Sequence, residues 1–334
     1  MKPWFVLFVA ALGAVSLTIP SCGKGAADPT VVSRTTTASS SKFDADRAWK
    51  YLERQVEFGP RASGSNKIEE LRAWMTEELR TAGYQVVREE FTKPTIVGER
   101  FFCNLYVDLP PTLPVEGKPD MVIVGTHFDT KAGLPFKFVG ANDGASSTAV
   151  ALELAHALKA KDAPKRDYTL RLLFLDGEEA IGPQWNPSGS NNTYGSQYHV
   201  QKLVDLQEIK RVRAFLLMDM VGDADLKLTR DSRSDRRLLQ LSIETATELG
   251  LAKYVNGATK EILDDHIPFM NAGVPSVDLI DAEYGPKVYQ HTMGGYWHTE
   301  GDVAANCSKE SLEVVGRIVL GMLPKLNRTP AKPK

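Results

Sequence analysis

A handful of short stretches in this chain carry residue types that do chemistry, and they lie far apart. They are His127-Phe-Asp129, Asn142-Asp143-Gly144, Asp176-Gly-Glu178-Glu179, Asp219, Asp264-Asp265-His266 and Trp297-His298-Thr299. Carboxylates gathered at one place cannot all stay ionised without a cation or shared protons. A mixed set of imidazole and carboxylate donors without cysteine suits zinc with an open coordination position, whereas Mg2+ rarely takes imidazole. Adjacent Glu178 and Glu179 suggest a division of labour, because successive side chains on extended backbone point to opposite sides. One would ligate the metal while the other faces substrate as a proton carrier. Blander roles compete. Asp143 could cap the helix after it, Asp264 or Asp265 could cap a short helix ahead of Pro268, and His298 could be a packed core histidine. His156 sits inside a helical stretch, and His199 and His291 show no partner pattern.

For these stretches to meet, the elements between them must bring them to one edge. Met121 to Gly125, Leu170 to Leu175, Ala214 to Met218 and Val274 to Ile280 are short apolar runs, the pattern of strands buried on both faces. Helical stretches follow at Ala145–Lys159, Ser234–Leu249 and Ser308–Leu323, and the alternation predicts an α/β domain with a mostly parallel sheet. Three of the runs lead directly into His127, into Asp176 to Glu179 and into Asp219, and open α/β sheets bind ligands at those strand ends. Ahead of them, Asp44 to Phe58 has helical spacing and is stopped by Gly59-Pro60. A second helix starts at a capping-box-like Asn66 and Glu69, with Gly83 as its C-cap. Tyr84–Phe91 and Phe101–Leu109 read as strands of an antiparallel edge hairpin.

Composition bounds the partners. The 334 residues hold 40 Lys and Arg against 42 Asp and Glu, a formal net charge of -2, so no basic footprint for nucleic acid exists. With 43% hydrophobic residues the chain can bury a sizeable core, and with 3 cysteines and no CxxC pair it has no disulfide scaffold or cysteine zinc site. The apolar run Trp4–Leu17 behind Lys2 is too short to span a bilayer and fits a signal peptide. Ser21-Cys22 resembles a lipoprotein cleavage box, with lipid on Cys22. The expected order is a leader at 1–22, a flexible linker at 23–42, one domain at 43–326 and a disordered tail at 327–334. An exported protein of a bacterial cell envelope or periplasm, possible lipid anchor included, is the expected setting. No interface signature stands out and a monomer is expected. Cys103 and Cys307 could pair there or stay free.

At these residues the sequence resembles the zinc-dependent exopeptidase-like superfamily that includes bacterial aminopeptidases and the animal-type glutaminyl cyclases. The shared stretches are Gly-Thr-His127-Phe-Asp129, Gly-Ala-Asn142-Asp143-Gly144, Leu-Asp176-Gly-Glu178-Glu179-Ala, Met-Asp219-Met-Val-Gly and Trp297-His298-Thr, running from about Phe58-Gly-Pro-Arg61 to Ile318. Trp185-Asn-Pro, Tyr194-Gly-Ser196 and Asp264-Asp265-His266-Ile-Pro-Phe269 lean toward the cyclases, although Gly189 to Asn192 stands where cyclases have an Asp before Tyr-Gly-Ser. The resemblance implies a three-layer α/β sandwich around a mixed, mainly parallel sheet. It implies that Asp143, Glu179 and His298 hold one zinc, that Glu178 is the acid/base and that Asp219 with Asp264 forms a supporting hydrogen-bond network. Trp185 and Trp297 would wall a pocket for peptide or protein N-termini, whose glutamine is cyclised to pyroglutamate with loss of ammonia. The alternative it leaves open is an aminopeptidase with two zinc ions, His127 and Asp219 completing the second site around Asp143. A non-catalytic envelope binding protein is a further alternative.

Overall fold

The structure is a computed structural model that describes residues 43–287 and 293–328. The leader with Cys22, the linker at 23–42, His291 and residues 329–334 lie outside the described residues. Asp44 opens α1 (Ala45–Phe58) by accepting the Arg47 N–H at 3.0 Å, which satisfies one of the donors a helix start leaves unpaired. In α2 (Asn66–Thr81) the cap is Ser65, whose hydroxyl takes the Ile68 N–H, and not Asn66 as the sequence suggested. Gly83 follows with φ +83°, a conformation open to glycine at little cost.

The expected hairpin is β1 (Val87–Thr95) and β2 (Gly98–Leu109), antiparallel at one edge. After it come β3 (Met121–His127), α3 (Ala145–Ala157), β4 (Thr169–Leu175), α4 (Tyr194–Asp205) and β5 (Val212–Asp219). A two-residue pair, β6 (Arg230–Asp231) and β7 (Thr259–Lys260), brackets α5 (Arg236–Glu248). The chain ends with α6 (His266–Asn271), β8 (Ser276–Ile280) and α7 (Lys309–Met322). The main sheet runs β1-β2-β4-β3-β5-β8, with β4, β3, β5 and β8 mutually parallel and β2 antiparallel to β4. It is the mixed, mainly parallel sheet expected.

Strand periodicity sorts the two faces. Val122, Val124, Leu172, Phe174, Leu216 and Met218 pack with α1, α2, α3, α5 and α7 in one core. Ile123, Leu173, Leu175, Phe215 and Leu217 pack with α4 and α6 in the other. Sequence periodicity missed α4 because its apolar stripe is short. It also placed Pro268 after a helix. Pro268 lies in the first turn of α6, where its missing N–H costs nothing. Cys103 and Cys307 are both buried and free, so they do not pair. Asn327 and Arg328 are tied to Asp167 by hydrogen bonds of 2.9 Å each. No helix among the described residues is long and apolar enough to cross a membrane.

Gly125 lies where β3 meets the ring of Phe215, which stacks on Phe269 at 3.9 Å. A Cβ at Gly125 would stand 2.4 Å from that ring. Gly125→Ala is therefore expected to destabilise the fold by about 1–3 kcal/mol through overpacking, read as a lowered denaturant midpoint with unchanged slope.

Candidate metal centre

β3 ends at His127, level with Leu175 at the end of β4, and β5 ends at Asp219. His127 and Asp219 continue the parity of the α4 and α6 face, so both reach the same side of the rim. His127 Nε2 lies 3.0 Å from Asp219 Oδ1 and 3.4 Å from Asp143 Oδ1. The other oxygen of Asp143 faces His298, with Oδ2 to Nε2 at 3.2 Å, and Glu179 Oε1 lies 3.1 Å from the same nitrogen. Two groups able to hold a metal ion result, His127-Asp143-Asp219 and Asp143-Glu179-His298, and they share Asp143. Glu178 points the other way from its neighbour, its Oε2 3.8 Å from His127 Nδ1.

Buried polar contacts hold these side chains in place. Asp129 accepts the N–H groups of both Glu178 and Glu179, at 3.1 and 3.2 Å, which fixes the turn that splits the two glutamates. Asp302 accepts the N–H groups of Asn142 and Asp143, at 2.7 and 3.1 Å. Arg61, fully buried, donates to the carbonyls of Phe128, Val139 and Gly140 and ties the loop after β3 to the start of the Asn142–Gly144 turn. The His298 ring is flanked by Trp297, stacked at 4.0 Å, and by Phe138 edge-on at 5.6 Å. His298 itself has φ +53° and Met220, next to Asp219, has φ +49°. Left-handed backbone at residues with a Cβ costs energy, and such strain clusters at functional sites.

Other expected members stand elsewhere. Asp176 turns inward to Arg72, Ser63 and the Cys103 N–H. Asp265 bonds Ser196, at 2.5 Å, and makes no side-chain cap. His266 packs beneath the rim, 3.3 Å from Asp231. His156 bonds Tyr51, and His199 does have partners, Glu89 at 2.9 Å and Arg171 at 3.2 Å. Asp302 went unnoticed in the sequence because it follows no strand; its position four residues after His298 was the available signal. Asp143, Glu178, Glu179, Asp219, Asp264 and His298 line a cleft of about 250 Å³, walled by the half-buried Trp185 and Trp297.

Burial raises the Glu178 carboxyl well above its ordinary range, and the charges of Asp264 and Glu179 add to this against the pull of His127. Burial lifts Asp264 to about 7, with Asp219 reinforcing it. On His298 burial opposes the charged form, but Glu179 and Asp143 outweigh it and hold the imidazolium up to about 10. His127 is likewise raised, burial being overcome by Asp219 and Glu178. For Asp143 burial works upward and loses to the two imidazoles, so this carboxylate stays ionised. Asp143 Oδ2 is also buried, and the His298 nitrogen 3.2 Å away does not meet it in hydrogen-bond geometry. Two carboxylate oxygens facing one imidazole nitrogen, with no cysteine, fit zinc.

The comparisons with known proteins follow this geometry. The sequence profile of peptidase family M28 matches residues 104–323. The chain belongs to peptidase family M28. A glutaminyl-peptide cyclotransferase-like protein of Bos taurus is 30% identical over 83% of this chain and 75% of its own length. The solved glutaminyl cyclase of an Acidobacteriales bacterium superposes with a TM-score of 0.78 at 31% identity, covering 91% of this chain and 99% of that one. The Porphyromonas gingivalis glutaminyl cyclase superposes with a TM-score of 0.73 at 28% identity, over 85% of this chain and 98% of its own. Among M28 proteins, then, the chain groups with glutaminyl cyclases, and the zinc-dependent family accounts for the His and carboxylate clusters.

A cation bound between Asp143, Glu179 and His298 must displace the His298 proton, which that nitrogen holds up to about 10. Zinc titrated into metal-free protein at neutral pH is expected to release protons, with the release shrinking as pH rises through about 10. Calorimetry in buffers of different ionisation enthalpy reads this directly. A release that is nil at neutral pH would show that Glu179 and Asp143 do not hold His298 in its protonated form.

Proposed function

We propose that this protein is a zinc-dependent glutaminyl-peptide cyclotransferase, converting N-terminal glutamine of peptides or proteins to pyroglutamate. The observation that carries the reading is the Asp143-Glu179-His298 group with Glu178 beside it, in a cleft walled by Trp185 and Trp297. The likeness to glutaminyl cyclases over most of both chains supports it. At about 250 Å³ the cleft is smaller than the ~300 Å³ where drug-sized pockets begin, a space suited to one terminal residue.

Asp143, Glu179 and His298 would hold one zinc. Bound there, zinc supplies a Lewis acid for the side-chain carbonyl of the substrate glutamine. Trp185 and Trp297 offer flat apolar faces that hold the glutamine folded, its α-amine against its own γ-carbon, so that both reacting groups arrive together. Glu178 takes the proton that the amine loses as the new C–N bond forms, and returns it to the side-chain amide nitrogen as the bond from the γ-carbon to that nitrogen breaks and ammonia departs. No water is consumed. The raised proton affinity of buried Glu178 suits a group that must both accept and release a proton. Asp219 and Asp264 line the same cleft, and the charge of Asp264 raises the proton affinity of Glu178.

A second reading, a dinuclear zinc aminopeptidase, rests on the His127-Asp143-Asp219 group that shares Asp143. Product analysis separates the two. A Gln-initiated peptide is expected to lose one ammonia without yielding a free amino acid, at one zinc per chain. Free amino acids from ordinary peptides, at two zinc per chain, would establish the aminopeptidase instead. Turnover of neither substrate would leave a binding protein. Glu178→Gln is expected to lower kcat by about 10²–10⁴-fold while metal content stays that of wild type.

The Lys2 to Cys22 segment supports export with lipid on Cys22 in a bacterial envelope; we further propose a monomer whose domain spans 43–326. Metabolic labelling with a radioactive fatty acid is expected to mark the wild-type chain and not Cys22→Ala; equal labelling would place the lipid elsewhere.

A further inference from the structure

The loop from Ala180 to Thr193 joins the Glu178-Glu179 turn to α4 and carries Trp185 at its exposed end. It has little apolar side chain to pack, and its order comes from polar side chains folded back on its own backbone. Asn191 stands out among them. Its Nδ2 donates to the carbonyl of Gln184 at 2.8 Å, and its Oδ1 accepts the N–H of Asn186 at 3.0 Å. Those groups belong to the two peptide units on either side of the Trp185 Cα. One side-chain amide therefore grips both peptide planes whose rotation would swing the indole. The same Nδ2 reaches the Ile181 carbonyl at 3.3 Å, and the Asn191 carbonyl accepts the Ile181 N–H at 2.7 Å, closing the loop at its base. Lys131 anchors the start of the loop through the carbonyls of Ala180 and Gly182, and Asn192 donates to the Asn186 carbonyl at 2.8 Å.

We propose that Asn191 is a positioning residue that sets the orientation of Trp185 against the substrate cleft by clamping the peptide groups on both sides of it. Only an amide of asparagine length supplies a donor and an acceptor at this spacing. Aspartate cannot donate, and alanine does neither. The inference concerns the backbone of Trp185, and its consequence for catalysis rests on the cyclase reading, in which Trp185 walls the substrate.

The test uses the full chain and reads Trp185 in two ways. Its own emission is obtained as the difference between each protein and its Trp185→Ala counterpart. Asn191→Ala is expected to make that component more accessible to acrylamide quenching. It is also expected to raise KM for a Gln-initiated peptide roughly 10-fold with a smaller change in kcat, the scale of about one hydrogen bond. In the Trp185→Ala background the same substitution is expected to leave KM unchanged, because the group it positions is gone. Asn191→Asp is expected to behave like Asn191→Ala, since both carbonyls lose their donor. Unaltered quenching of the Trp185 component overturns the proposal. So does a KM effect of equal size in both backgrounds, or full rescue by Asn191→Asp. If quenching rises in Asn191→Ala while Trp185→Ala itself leaves KM at the wild-type value, the clamp stands and the assignment of Trp185 to the substrate wall falls.

Discussion

A carboxylate removed from water stays ionised only beside positive charge or hydrogen-bond donors, and Asp143 meets that condition by standing between two imidazoles, His127 on one oxygen and His298 on the other. The arrangement around it follows from that need. Glu179 comes to the His298 side and Asp219 to the His127 side, where Asp129 and Glu178 also stand within 4 Å, so both imidazoles are ringed by carboxylates and driven toward the cationic form. Protons on these histidines and a divalent cation are alternative ways of neutralising the same acidic cavity. A site built this way is ready for a metal without any cysteine, and its affinity is bound to pH.

The cost of holding so many charged groups together is carried by the layer beneath them. Asp129 binds the backbone of the glutamate pair, Asp302 that of Asp143, and Arg61 three carbonyls of the loop between them. These contacts use backbone groups, so they fix where the loops run and leave the carboxylates of the rim free to face the cleft. The left-handed backbone of His298 and Met220 shows that local preference was overruled to aim the neighbouring side chains.

On the cyclase reading, attacking and attacked atoms belong to one residue, so the cleft's task is to hold that residue bent and to pass one proton. The small volume, the two indoles and the buried Glu178 beside the metal group suit that task. The shared Asp143 also leaves the architecture close to a two-metal site.

How far the chain could be read before folding depended on range. Apolar runs and their polar ends identified β3, β4, β5 and β8, and with them the rim holding His127, Glu178, Glu179 and Asp219, because strand burial and strand ends are written in adjacent residues. The Asn142-Asp143-Gly144 turn and the Trp297-His298 pair were visible as local motifs. What local pattern could not decide was pairing across distance. Asp176 and Glu178 look alike in sequence, yet one meets Arg72 from α2 inside the core and the other meets the cleft. Asp302 carries no signal until its carboxylate is seen beneath Asp143, and His199 looked partnerless until β1 brought Glu89 to it. Residue types and strand ends are set by neighbours along the chain. Which carboxylate faces metal, cation or backbone is set by packing between elements, and that belongs to the tertiary structure alone.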